Sequence, residues 1–338
     1  MATPDLGHQQ TDKLLDELER RLAAVYRTAG REMQEKIDAY FESFRERDEQ
    51  MKALIGSEVN GRTWTERDYK QWRLAQIGRG SRFEALRDAL AERMTKANEV
   101  AAAYINDATP GVYSLNRNYT AYTIYTIERV GGNVGFTLWD ESTVKRLLKE
   151  RPDLMPYYPP QRAVKRGIDL EWGKKQITNQ VTQAILQGEN LKAMADRLRK
   201  AIPTMNRDSA IRAARTAFTS AQNAGRMDSY KAAEDMGVKV QKRWVATKDG
   251  RTRHSHRRLD GETVAWDTKF SNGCRYPGDP QGKPAEVYNC RCTIRTVEKP
   301  GIEAEPRQMR VRDPKTGKNV LVNEMTYAEW EEWVKSRG

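Results

Sequence analysis

Long apolar runs, cysteines and histidines are all scarce in this chain. No stretch approaches the roughly twenty apolar residues that span a bilayer, and residues 1–10 (MATPDLGHQQ) lack the basic start and apolar core of a secretory leader. The chain is therefore expected to act in solution, with no membrane partner. Its three cysteines all fall between Cys274 and Cys292, and an odd number without a leader argues against a disulfide framework. They belong to one local site or to none. Also missing are a Gly-rich phosphate loop, a Gly-x-Ser-x-Gly elbow, a His-Glu-x-x-His helix and the His-x-Glu with Pro-Cys-x-x-Cys of a zinc deaminase. Those absences remove the familiar enzyme classes, and no catalytic residue is assigned.

Charge is plentiful. Charged residues make up 31% of the chain and hydrophobic ones only 38%, which favours exposed helix over a thick core. Lys and Arg exceed Asp and Glu by 59 to 47, a net charge of +12, and such a surplus suits an acidic partner, nucleic acid first. Acids interleave with the basic residues, so no basic arm forms.

Leu15, Leu18, Leu22, Val25, Ala29, Met33, Ile37, Tyr40 and Phe44 recur at threes and fours, which predicts one long helix stopped near Gly56, with Thr11 or Asp12 as its cap. A second helical block is expected from Thr65 to about Asn106, broken near Gly78–Gly80. Tyr113 to Tyr125 mixes Tyr, Asn and Thr; packing rather than base stacking is the reading of tyrosines at helical spacing. Gly131–Gly135 reads as a turn, and Arg151–Pro160, with four prolines, as an extended connector. Helices are then expected over Trp172–Gln187, Asn190–Lys200 and Asp208–Met236, the last capped by Asn206 or Asp208 and stopped by Gly237. That helix carries a stripe of small residues from Ala210 to Gly225 and a polar stripe through Arg212, Arg215, Thr219 and Arg226, a seam for which the next domain must supply acids. After Gly237 the pattern alternates with period two (Val238–Ala246), and a second strand is expected at Thr293–Val297. A short helix capped by Thr326 closes the chain.

The fold class is accordingly mainly α, with long N-terminal and central helices followed by a small α+β C-terminal domain. The expected divisions are an N-terminal helical region (1–106), an irregular aromatic and proline-rich connector (107–170), central helices (171–236), the α+β domain (237–298) and a polar tail (299–338).

The densest motif spans Lys242–Cys292: Asp249-x-Arg-Thr-Arg, His256-x-x-x-Asp-Gly, Phe270-x-Asn-Gly, Tyr276-Pro-Gly-Asp-Pro and Asn289-Cys-Arg-Cys, in that order. With the preceding ARTAFTSAQNAGRMDSY (Ala214–Tyr230) and the closing MTYAEWEEW (Met325–Trp333), it resembles the phage Mu F-like head morphogenesis family from about Trp172 onward. The resemblance implies a minor head protein that associates with the portal during assembly, sits in the head interior after a stage in the host cytoplasm, and meets capsid or scaffold proteins. Some relatives are proposed to bind DNA, and others carry a toxin domain after the cysteine motif; with few residues following Cys292, none is expected here. A protein that accompanies the genome is the rival function, since phosphate contacts suit the basic charge.

Most of the motif reads as fold-maintaining. Asp249 and Asp260 can each accept paired bonds from arginine, with Arg215 and Arg226 as donors, and Asp260-Gly261 signals a tight turn. Arg251, Arg253, Asn289 and Arg291 complete the set of structural residues. His256, Cys274, Cys290 and Cys292 make up a tetrahedral zinc set by residue type, although a Cys-x-Cys pair in a strand sends its thiols to opposite faces. Buried free thiols, with no cofactor, and a disulfide from Cys274 to Cys290 or Cys292 are the alternatives. A metal-dependent nuclease using His256, Asp249 and Asp260 is the remaining enzymatic reading.

Overall fold

The computed structural model describes residues 5–128, 139–150 and 169–297, together with short stretches between 308 and 337. The fold is mainly helical, with small antiparallel sheets toward the C-terminus. Helices run over Leu6–Glu42 (α1), Arg45–Ala53 (α2), Glu66–Gln76 (α3), Ser81–Glu128 (α4), Glu141–Glu150 (α5), Leu170–Leu186 (α6), Leu191–Asp235 (α7), His254–Leu259 (α8) and Pro284–Val287 (α9). A hairpin joins Glu58–Val59 (β1) to Arg62–Thr63 (β2). Gln241–Val245 (β3) lies between Thr263–Ala265 (β4) and Thr293–Val297 (β5) in one three-stranded sheet, and Gln308–Arg312 (β6) pairs with Asn319–Asn323 (β7). Among the described residues, no helix is long and apolar enough to cross a membrane.

The compact units are not consecutive segments. One comprises Met1–Glu19, Ile105–Pro160 and Arg212–Gly338, the other Arg20–Tyr104 and Gln161–Ile211, so α1, α4 and α7 each contribute to both. The second unit is a helical assembly around Leu22, Met33, Ile37, Phe83, Leu90, Ile177 and Leu198, all buried. Its polar centre is Arg73, which pairs with Asp48 at 3.0 Å and donates to the Glu189 carbonyl at 2.7 Å. Tyr40 stands edge-on to Phe44 at 5.2 Å and donates to the Ile77 carbonyl at 2.6 Å, so an apolar cluster and a helix terminus are tied together.

Several elements differ from expectation. Helix α1 begins at Leu6 because Asp5 accepts the His8 N–H at 3.0 Å, whereas Thr11 lies inside the helix and donates to the Gly7 carbonyl at 2.8 Å. The first helix breaks at residues 43 and 44 before α2. The stretch expected as an irregular connector is helical from residue 107 to Glu128, through Pro110, and again in α5. Helix α7 likewise runs unbroken past Pro203, and Asn190 caps it by accepting the Ala193 N–H at 2.8 Å. An internal proline costs about 3 kcal/mol, but buried Ile105, Val112 and Tyr113 around Pro110, and Leu198 and Ile202 before Pro203, hold the flanking turns. Asn206, expected as a cap, bonds the Ile202 carbonyl at 2.8 Å. The tail expected to be polar contains the β6–β7 hairpin, in which Met309 pairs with Val322 and Val311 with Val320. The Gly131–Gly135 turn, the Arg151–Pro160 connector and most of the terminal helix lie outside the described residues.

The stripe of small residues on α7 has a visible use. Ala214, Ala217 and Ala221 are buried, and a Cβ at Gly225 would collide with the Tyr113 carbonyl oxygen and come 3.1 Å from the Arg117 nitrogen. Within this unit α4 and α7 thus meet backbone to backbone. Alanine gains roughly 0.5–1 kcal/mol over glycine in a helix, but the colliding atoms are backbone and cannot swing aside. Gly225→Ala is expected to destabilise the protein by about 1–3 kcal/mol, read as a lower urea midpoint; an unchanged or raised midpoint would show that the two helices part freely.

Candidate functional site

The motif residues gather on the C-terminal stretch of α7, whose polar face is stitched to the sheet and its loops. Thr219 donates to the Cys290 carbonyl at 2.6 Å, and Ser220 to the Gly278 carbonyl at 2.5 Å. Asn223 donates to the Pro277 and Cys292 carbonyls at 3.1 and 3.3 Å and accepts the Ile294 N–H at 3.0 Å. Gln222 donates to Thr293 Oγ1 at 2.9 Å. Apart from the Gln222–Thr293 contact, these side chains complete the bonding of backbone groups at Pro277, Gly278, Cys290, Cys292 and Ile294. Gly278 is required in its place: its φ is +82°, and a Cβ there would sit 2.9 Å from the Ser220 Cα.

Arg226 is the centre of this seam. It donates to Asp5 at 3.0 and 2.8 Å, to the Ile294 carbonyl at 2.8 Å and to Asn116 Oδ1 at 3.2 and 3.3 Å. Burial alone would raise the Asp5 pKa, but Arg226 overrides it and holds the carboxyl well below the usual carboxylate range. Arg215 makes the equivalent paired contact with Glu19 at 2.8 and 3.2 Å. The acids that match the arginine stripe therefore come from the N-terminal segment, not from the C-terminal domain as expected.

Asp249 and Asp260 find other partners. Asp249 takes a two-pronged bond from Arg291 and accepts the Arg251 N–H at 3.0 Å, while Asp260 accepts the Ala246 N–H at 2.8 Å and pairs with Lys248. Both pairs stay within the C-terminal domain, Asp260 and Lys248 lying 12 residues apart and Asp249 and Arg291 42. Gly261, at φ +84°, donates its N–H to the Trp244 carbonyl at 2.9 Å, the tight turn read from Asp-Gly. Arg253 donates to the Tyr288 carbonyl. Asn289 adopts φ +56°, and its N–H donates to Thr216 Oγ1 at 2.8 Å. Asp249 and Asp260 are thus engaged in holding loops, and they are not among the residues grouped with His256.

That group consists of His256, Cys290 and Cys292, all buried, with ligating atoms within 4.8 Å of one another. His256 Nδ1 stands 3.5 Å from each of the two sulfurs, and Nε2 lies 2.9 Å from Glu286 Oε2. Trp244 packs edge-on against the imidazole at 5.2 Å. The Cys290–Cys292 pair precedes β5 instead of lying in it, so the alternation of a strand does not apply and both thiols face the same histidine. Burial pushes the Cys290 thiol up, while its bond to Cys292, and then His256, draw the Cys292 thiol down. Cys274 is elsewhere: its thiol abuts Gly282, burial pushes its pKa up to about 11, and all three cysteines are free. Glu286, which spacing did not single out, joins through α9; a carboxylate thirty residues from the histidine carries no local signal.

Residues 175–295 match the family model for Phage Mu protein F like protein. Minor head protein GP7 of Bacillus phage SPP1 is 25% identical, across 98% of this chain and 98% of its own length. Residues 175–295 thus carry a Mu F-like domain, and the chain along its length is similar to a phage minor head protein. Arg215, Arg226 and the cysteine turn fall inside the matched span, whereas their partners Asp5, Glu19 and Asn116 lie outside it. An NAD(+)–arginine ADP-ribosyltransferase, EFV of Enterococcus faecalis, is 30% identical over 39% of this chain and 27% of its own length. The uncharacterized protein YqbB of Bacillus subtilis is 30% identical over 36% of this chain and 41% of its own. No solved structure matches.

The Asp5–Arg226 pair sets an acid dependence. A carboxyl depressed in the folded state stabilises above its unfolded pKa, near 3.9, and that contribution is lost as pH falls below it. Asp5→Asn leaves a buried guanidinium unpaired and is expected to cost about 3 kcal/mol at neutral pH. Denaturation across pH 2 to 7, on the order of the carboxylate titration range, should show the deficit shrinking as wild type loses its own pair; a deficit constant with pH would mean the charge is not what matters.

Proposed function

We propose that this minor head protein works at the portal of a tailed phage during head assembly, as a structural part and not a catalyst. The observation that carries this reading is the likeness to GP7, a minor head protein, along essentially the whole of both chains. The bonding of the C-terminal domain is consistent with it. Asp249, Asp260, Arg226 and Asn289 are spent on loop backbone and ion pairs, and such engaged groups make poor acids, bases or nucleophiles. The transferase activity in the name EFV belongs to a protein of which this chain covers only 27%. Contact with packaged DNA accompanies the assembly role: the net charge of +12 exceeds what internal pairing neutralises, and phosphates are the abundant acid inside a head.

Co-expression with the portal protein of the same phage, followed by purification with nuclease and high salt, tests both parts. A stoichiometric complex that survives salt is expected for a portal contact, and loss of the portal on the column would refute it. DNA retained by the separated chain should fall steeply with rising salt; salt-independent retention would argue against phosphate contacts.

A further inference from the structure

We infer that His256, Cys290 and Cys292 are three protein ligands of a structural metal site for a thiophilic divalent ion, zinc by its ligand chemistry. A tetrahedral zinc, with bonds of about 2.3 Å to sulfur and 2.0–2.1 Å to nitrogen, sets neighbouring S and N ligand atoms about 3.5 Å apart. His256 Nδ1 lies 3.5 Å from Cys290 Sγ and 3.5 Å from Cys292 Sγ. Hydrogen bonding alone does not account for that symmetry. A neutral ring nitrogen carries either one lone pair or one hydrogen and makes one directed bond, yet two sulfurs stand at the same distance. A cation between them would satisfy all three atoms at once.

The surroundings fit the same reading. A ligating histidine ordinarily turns its other ring nitrogen to a carboxylate, which fixes the tautomer and orientation. Glu286 Oε2 is 2.9 Å from Nε2 and is itself held by Ser255 at 3.1 Å and Asn272 at 3.3 Å. The Cys292 N–H points at Cys290 Sγ from 3.4 Å, a donor suited to a thiolate. Asn289, in the left-handed region that asparagine tolerates, turns the chain just before the pair, and the carbonyls of Cys290 and Cys292 are anchored by Thr219 and Asn223. Among the described residues, no fourth His, Cys, Asp or Glu joins the group, and Cys274 is outside it. On binding, each thiol that ligates leaves its proton to solvent and coordinates as thiolate. The ion would then pin α8 to the turn before β5, two segments more than thirty residues apart, in a domain with little apolar core.

The test uses the full, untagged chain, purified without chelator from zinc-supplemented culture and assayed by elemental mass spectrometry. One zinc per chain is expected, with Cys274→Ser retaining it and Cys290→Ser losing it. Cobalt substituted into the wild-type protein should give thiolate-to-cobalt charge-transfer and tetrahedral d–d bands. A folded wild-type protein that holds no zinc and develops no bands with cobalt overturns the site, whether or not the cysteine variant folds. A folded Cys274→Ser protein that loses its metal, or a folded Cys290→Ser protein with unchanged bands, overturns the ligand set.

Discussion

One buried guanidinium holds together parts of the chain that are far apart in sequence. Arg226 reaches Asp5 just before the N-terminal helix, an asparagine of α4 and a carbonyl of β5. Burying such a group costs several kcal/mol unless every N–H is met and the charge is balanced. Here Asp5 supplies the charge and the neighbouring acceptors meet the rest. The guanidinium also dictates geometry: a planar fork can serve these partners only from one position along α7. The small residues of that helix then make sense as the condition that lets α4 come close enough for Asn116 to take part.

The C-terminal domain extends the same logic. Its sheet has three short strands over a small apolar core of Val240, Trp244, Leu259, Phe270, Tyr276, Val287 and Ile294. What supplements that core is a set of bonds from side chains to loop carbonyls, through Thr219, Ser220, Asn223, Thr247 and Arg253. Each contributes only about 1 kcal/mol net, but leaving the same carbonyls buried and unmet would cost more. A domain built this way depends on particular residue types at particular positions.

What the sequence disclosed, and what it hid, divide along one physical line. Signals internal to a segment were legible: the spacing from Leu18 to Phe44 matched a buried face, Gly188 and Gly237 ended their helices with positive φ, and β5 occupies Thr293–Val297 as expected. Signals that depend on a distant partner were not. Pro110 and Pro203 look like helix stops because the local cost is visible and the tertiary packing that offsets it is not. Arginines on α7 announce that acids must exist without saying that these are Asp5 and Glu19, 221 and 196 residues away. The site behaves alike. His256, Cys290 and Cys292 could be named as a set by residue type, but Cys274 belonged to the same set by the same rule. Only the fold removes it and brings in Glu286.

The turn at 289–292 shows why spacing rules misjudge such sites. A Cys-x-Cys pair is a poor chelate when both residues are extended, because alternate side chains diverge. Once the preceding residue takes a left-handed conformation and the strand starts only at Thr293, alternation no longer governs the pair, and both sulfurs reach one imidazole. Asn289 is therefore as much a part of this group as the cysteines, although it touches none of the sulfurs. Its contribution is backbone shape, with its N–H fastened to Thr216 on the long helix. The histidine is placed by a different constraint, the edge of Trp244 on one side and Glu286 on the other. Two short segments, each positioned by side chains that never meet the sulfur atoms, are what make the cluster, and α7 is the common scaffold for the cysteine half of it.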